Sequence, residues 1–208
     1  MLSRWRPLYE KLSLPLGKSL AHLGFNANTV SFLSLATAVL AGITLALRQI
    51  GWGVALTFLM IMLDALDGSI ARAHGQLLPF GRILDHCLDR IGEIVILGGI
   101  LLGGLSESAY VYGAISGILM SSYVRAKAES VGIAECAVGV AGRLEKILIL
   151  LLGLSFEILF WGKGLLKWFL LMIAVVSYIT TIQRLIYSYR VTAISAIKDG
   201  RNQGVMQR

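Results

Sequence analysis

Residues 64–90 read D-A-L-D-G-S-I-A-R-A-H-G-Q-L-L-P-F-G-R-I-L-D-H-C-L-D-R, and this stretch decides the fold. Four aspartates lie there between long apolar segments. On a helix, Asp64, Asp67, Gly68, Ala71 and Arg72 share one face, because offsets of three, four, seven and eight residues return to the same side. Gly81, Asp85 and Asp89 repeat that spacing in four-residue steps. Residues 73–80 carry Gly75 and Pro79 and are long enough to turn the chain, so the spacing predicts two helices side by side with their carboxylate faces meeting.

The surrounding sequence is that of a membrane protein. The chain has 208 residues, 56% of them hydrophobic, and a mean hydropathy of +0.75. These values predict a single membrane-embedded, all-α domain over residues 1–208. The formal net charge is +7. The basic residues sit at the ends of apolar segments, so membrane topology explains them better than nucleic acid does. Cys87 and Cys136 lie far apart without metal-type spacing and read as packing residues. No secretory signal is expected, since the apolar run begins near Val30 and is too long for one.

Working outward from the acidic stretch, the second and third predicted spans, about 52–73 and 81–103, carry the four aspartates at adjoining ends. The first span, about 29–47, is preceded by Asn26-Ala27-Asn28-Thr29, residues suited to capping a helix. Spans at about 109–127, 143–161 and 165–188 follow, each of roughly the 20 residues a crossing needs. Before them, residues 1–25 place Trp5, Leu8, Tyr9, Leu12, Leu16 and Leu20 at near-helical spacing among Arg4, Arg6, Lys11 and Lys18. That pattern predicts an interfacial amphipathic helix, with Pro15 as a break. Six spans put both termini on one side. Of the 19 Lys and Arg residues, all but Arg48, Lys163 and Lys167 fall on that side, which makes the termini and the acidic stretch cytoplasmic in the cell membrane.

An ionised aspartate at the centre of a membrane helix costs about 2.5 to 3.5 kcal/mol, and neighbouring carboxylates repel one another. Solvated charges at a helix end would account for one or two aspartates, not for four on converging faces. Divalent cations with a preference for oxygen ligands, Mg²⁺, Mn²⁺ or Ca²⁺, fit better, and two of them would neutralise four carboxylates. Gly68, Ala71 and Gly81 lack bulk on the same faces and would admit a large ligand, although small residues also serve helix packing. Arg72 is placed to meet phosphate. Arg82 and Arg90 need be no more than cytoplasmic anchors. Metal, arginine and a wall of small residues together suggest a phosphoanhydride substrate.

The pattern D-x2-D-G-x2-A-R-x8-G-x3-D-x3-D is filled at every fixed position by Asp64, Asp67, Gly68, Ala71, Arg72, Gly81, Asp85 and Asp89. It resembles the signature of the CDP-alcohol phosphotransferases, which are membrane enzymes with six spans. The resemblance implies attack of an alcohol on the β-phosphoryl group of a CDP-linked partner, with release of CMP. It further implies that Asp64, Asp67, Asp85 and Asp89 hold Mg²⁺ or Mn²⁺, that Asp89 is also the general base, and that Gly68, Ala71, Arg72 and Gly81 contact the CDP moiety. Asn28 and Ser31 resemble the family's N-x-x-[ST], which would reach the nucleotide or diphosphate; N-capping explains them equally well. A homodimer is a further expectation of the family.

The acceptor is read from a second stretch. Ser121-Ser122-Tyr123-Val124-Arg125-Ala126-Lys127-Ala128-Glu129, with Gly142-Arg143-Leu144-Glu145-Lys146 and Gln183-Arg184 downstream, is similar to the branch making phosphatidylinositol phosphate or archaetidylinositol phosphate. That branch implies CDP-diacylglycerol or CDP-archaeol as donor and inositol 1-phosphate as acceptor, its phosphate bound by Arg125, Lys127, Arg143 and Arg184. Topological anchoring is the competing account of each of these cations. Glycerol 3-phosphate would need about as much positive charge and is the rival acceptor. An ion-coupled transporter would spread its carboxylates across the bilayer depth, whereas these cluster at one end. A noncatalytic scaffold is disfavoured because every motif position is filled.

Overall fold

The structure, a computed structural model, describes residues 26–73, 79–133, 136, 138–160 and 162–206, excluding the side chains of residues 71–73, 79, 82 and 195–206. The interfacial helix expected over 1–25 lies outside the described residues. Six α-helices account for nearly all of the rest: α1 Ala27–Ala46, α2 Ile50–Ala73, α3 Pro79–Leu102, α4 Ser108–Ser130, α5 Arg143–Leu159 and α6 Leu166–Met206. Three segments, Ala27–Ala46, Ile50–Ile70 and Leu166–Ile194, are long and apolar enough to cross a membrane. Of the other three helices, α5 has only 17 residues, and α3 carries Asp85, Asp89, Arg90 and Glu93 within its length.

Local chemistry sets the helix ends. Pro79 opens α3, where its fixed φ is already helical and its missing N–H is not needed. Asn26 stands at the N-cap of α1, but its side chain makes no capping bond; its carbonyl accepts the N–H groups of Thr29 and Val30. The capping role expected of that stretch is therefore carried by backbone alone. The Gly142 N–H donates to Glu145 Oε2 at 3.0 Å and opens α5. Buried Glu157 on α5 accepts the Leu166 N–H at 2.9 Å, satisfying the first residue of α6. α6 continues past the predicted span limit of 188 because it contains no proline and no glycine before Gly200.

The helices pack as two trios. α1 lies against both α2 and α3, while α4 and α5 each lie against α6; the trios meet where α2 touches α5 and α3 touches α4. Inside the first trio the backbones of α1 and α3 come into contact, since a Cβ placed on Gly99 would lie 2.2 Å from the Gly42 carbonyl oxygen. Leu45, Met60, Ile96, Ile100, Leu154 and Leu170 form part of the apolar interior. Phe32, Phe58, Leu102, Leu152 and Ile182 point outward, whereas Asp67, Glu93, Lys146 and Arg184 are buried. Apolar outside and charged inside is the arrangement a lipid environment favours. Cys136 is buried as expected of a packing residue, but Cys87 is exposed. Its place among the acids on α3 turns it outward.

At the end opposite the acids, Arg48 takes a left-handed backbone, φ 60°, which a side chain adopts at some cost. Its Nε donates to the Gly103 carbonyl at 2.7 Å and ties the α1–α2 turn to the turn after α3.

Candidate active site

The last turns of α2 bring Asp64 and Asp67 against the first turns of α3, which carry Asp85 and Asp89. Carboxylate oxygens of Asp64, Asp67 and Asp85 lie within 4.8 Å of one another, and so do ligand atoms of Asp85, His86 and Asp89. Asp67 is buried and the other three aspartates are half-buried. Ser31 on α1 donates its hydroxyl to Asp67 Oδ2 at 2.8 Å. The residue that the motif associates with nucleotide thus orients a carboxylate of the cluster. Asn28 is exposed, and its Oδ1 lies 3.4 Å from where a Cβ on Gly81 would stand, so the loss of bulk at Gly81 leaves room for it.

Arg143, the first residue of α5, enters the acidic cluster from the second trio. Its Nη1 donates to both carboxylate oxygens of Asp64, at 2.7 and 2.6 Å, and its Nη2 lies 2.8 Å from Asp89 Oδ1. Its Nε donates to Glu93 Oε1 at 3.2 Å. Among the described residues, Arg143 is the one cation paired with these aspartates. One guanidinium cannot balance four carboxylates, and the hard oxygen donors left over suit a divalent ion.

Beside it lies a second, largely cationic group. Lys146 is buried and donates to Ser121 Oγ at 2.6 Å. Arg184, also buried, donates through Nη1 to the Ser121 carbonyl and through Nε to the Val138 carbonyl at 3.0 Å. The Arg90 Nη1 group reaches Ser122 Oγ at 3.1 Å and Glu93 Oε2 at 2.7 Å. The structure therefore brings Arg143 into the aspartate cluster and sets Arg184 against Ser121, with no described contact to the aspartates. It turns Arg125 instead to Glu129, 2.8 Å away, and leaves Lys127 exposed, neither with a described contact to the aspartates. Gly68 follows directly on Asp67 in α2. Ala71 and Arg72 fall in the last turn of α2, and their side chains lie outside the described residues.

Three participants were missed or undervalued in the sequence. Glu93 extends the series Gly81, Asp85, Asp89 by one further step of four, which was the available signal. Arg90 was read as an anchor, and only folding shows it joined to Glu93 and Ser122. Lys146 stood in the quoted motif, but its burial is a tertiary property.

A model of the CDP-alcohol phosphatidyltransferase family matches residues 25–183. The archaetidylinositol phosphate synthase of Pyrococcus horikoshii is 37% identical over 185 residues, 88% of this chain and 94% of that one. The enzyme of that name from Methanothermobacter thermautotrophicus is 35% identical over 194 residues, covering 91% and 95%. The phosphatidylinositol phosphate synthase of Mycolicibacterium smegmatis is 31% identical over 191 residues, covering 86% and 84%. The fold is shared with crystal structures of Mycobacterium tuberculosis phosphatidylinositol phosphate synthase. One has CDP-DAG bound, with a TM-score of 0.73, 23% identity and coverage of 86% and 94%. Another is in complex with manganese and citrate, with a TM-score of 0.73, 24% identity and coverage of 85% and 88%. On its motif, its fold and these relatives, the chain belongs to the CDP-alcohol phosphatidyltransferase family and is a membrane transferase of phospholipid synthesis.

Proposed function

We propose that the protein transfers the phosphatidyl-type group of CDP-diacylglycerol or CDP-archaeol to inositol 1-phosphate and releases CMP. The observation that carries this reading is the entry of Arg143 from α5 into the aspartate cluster of α2 and α3, which puts a guanidinium, a group suited to phosphate, beside the acids. The names of the relatives support inositol phosphate as acceptor. In this reading all six helices cross the membrane as one domain, the site faces the cytoplasm, and the enzyme works as a homodimer.

Asp64, Asp67, Asp85 and Asp89 hold divalent ions, Mg²⁺ or Mn²⁺ and two in number, and the crystal structure with manganese makes Mn²⁺ a reasonable choice. Bound there, the ions lower the charge of the diphosphate and stabilise CMP as leaving group. Ser31 keeps Asp67 turned toward the cluster. Gly68, Ala71, Arg72 and Gly81 border the CDP moiety, with Asn28 at its edge. Asp89 accepts the proton of the attacking hydroxyl. A bond forms from that oxygen to the β-phosphorus, and the bond from the same phosphorus to the CMP oxygen breaks, its electron pair leaving with CMP. Arg143 and Arg184 hold the acceptor's own phosphate, with Arg125 and Lys127 on the approach to it.

The test is a panel of labelled acceptors offered to the purified protein with each CDP-lipid in turn. Inositol 1-phosphate should give much the highest turnover, and Arg184→Ala should raise its KM roughly tenfold while leaving the KM for CDP-lipid nearly unchanged. Better turnover of glycerol 3-phosphate would replace this reading with phosphatidylglycerol phosphate synthesis. Ser31→Ala should weaken Mn²⁺ binding a few-fold, because Asp67 loses the hydroxyl that orients it. Unchanged Mn²⁺ affinity would return Ser31 to the nucleotide.

A further inference from the structure

Glu93 lies outside the eight-residue motif, yet it is 5% exposed and faces the site. It sits one helical turn beyond Asp89 on α3, so its side chain continues the acidic face inward. Its two oxygens lie against guanidinium groups on two helices, Oε1 as a hydrogen-bond acceptor and Oε2 as an ion-pair contact alone. Oε1 accepts from Arg143 Nε on α5 at 3.2 Å, and Oε2 lies 2.7 Å from Arg90 Nη1 on α3 itself. Arg90 in turn donates to Ser122 on α4. A buried carboxylate is costly unless paired, and an apolar residue would fill this place at less cost if packing alone were required.

The division of donors on Arg143 gives the charge a purpose. Its Nη1 and Nη2 groups are on Asp64 and Asp89, the carboxylates proposed to bind metal, while its Nε is on Glu93. When the aspartates are engaged by divalent ions, Glu93 is the carboxylate that remains to Arg143. We infer that Glu93 is a positioning residue that holds Arg143 by its Nε edge, so that the two Nη groups are free to leave Asp64 and Asp89 and face an acceptor phosphate. This rests on the proposed role of Arg143. Without the Glu93 charge, the guanidinium should settle more firmly on the aspartates and compete with the metal.

The experiment is a double-mutant cycle on Mn²⁺ binding, read by electron paramagnetic resonance on purified protein, with Glu93→Gln, Arg143→Gln and the double variant. Glu93→Gln should weaken Mn²⁺ binding roughly three- to tenfold in the wild-type background and leave it unchanged in the Arg143→Gln background, which is the signature of an effect that passes through Arg143. Glu93→Gln should also raise the KM for inositol 1-phosphate roughly tenfold while moving the KM for CDP-lipid less than about twofold, and Glu93→Asp should restore much of both losses. Equal effects of Glu93→Gln in both backgrounds, or unchanged Mn²⁺ binding with the KM of both substrates disturbed alike, would overturn the inference and leave Glu93 a structural ion pair. Should Glu93→Gln fail to fold, Glu93→Asp is carried through the same cycle under the same criteria. Because Mn²⁺ binding needs no acceptor, failure of the wild type to use inositol 1-phosphate would sink the acceptor reading and leave this test standing.

Discussion

Asp89→Asn is expected to lower kcat for CMP release by roughly a thousandfold while the protein remains folded. The amide oxygen can still accept from Arg143 Nη2, which lies 2.8 Å from Asp89 Oδ1, so the junction between α3 and α5 is retained. What the variant loses is a basic oxygen to take the acceptor's proton and a charge at the edge of the cluster. Loss of general-base help alone is worth about 10²- to 10⁴-fold. Turnover is measured as CMP release with saturating Mn²⁺, and folding by thermal denaturation in detergent. Wild-type turnover in Asp89→Asn would end the assignment of Asp89 as base.

The second large effect is on folding. Gly99→Ala should destabilise the protein severely, whereas Gly98→Ala, one residue earlier on the same helix, should not. A Cβ at position 99 would meet the Gly42 carbonyl oxygen at 2.2 Å and the Gly42 Cα at 2.7 Å, and these backbone atoms have no rotamer to change. A Cβ at position 98 meets nothing within 4 Å. Overpacking ordinarily costs about 1 to 3 kcal/mol, and contact with rigid backbone belongs at the upper end or above it. Gly98→Ala should instead gain up to about 1 kcal/mol of helix propensity. Thermal melts in one detergent should separate the two variants by roughly 5 °C or more. Equal melting would mean that α1 and α3 are not in backbone contact.

The acids were legible in the sequence because their chemistry and their spacing agree. Asp64 and Asp67, then Asp85 and Asp89, recur at helical intervals, and a turn between the two pairs leaves little choice but to bring them together. Helix limits were nearly as clear where composition changes sharply, as between Leu102 and Ser108. The far end of α6 was not, because a fall in hydropathy limits how long a segment is apolar enough to cross a membrane, here to Ile194, and does not end a helix. The cations were harder. Arg125 and Arg143 carry equal weight as basic residues near span ends, yet one turns to Glu129 along its own helix and the other crosses to Asp64. Which of these happens depends on how the trios dock, and that contact is long-range. Arg90 and Glu93 escaped for the same reason, since their partners include residues on α4 and α5.

The two-trio packing has a consequence for how such an enzyme can diversify. The carboxylates all stand on α2 and α3, in the trio with α1, whereas Arg143, Lys146 and Arg184 stand on α5 and α6. Under the proposed function, one trio houses the chemistry common to every CDP-alcohol and the other houses the choice of acceptor. Changes at the acceptor side that spare Arg143 can then accumulate without disturbing a carboxylate of the site. Arg143 is the point of contact, because Asp64, Asp89 and Glu93 all reach across to it from the other trio. A chimera joining α1–α3 of this chain to α4–α6 of a relative with another acceptor should therefore take its preference from the latter, provided that the incoming α5 brings a partner that Glu93 can hold.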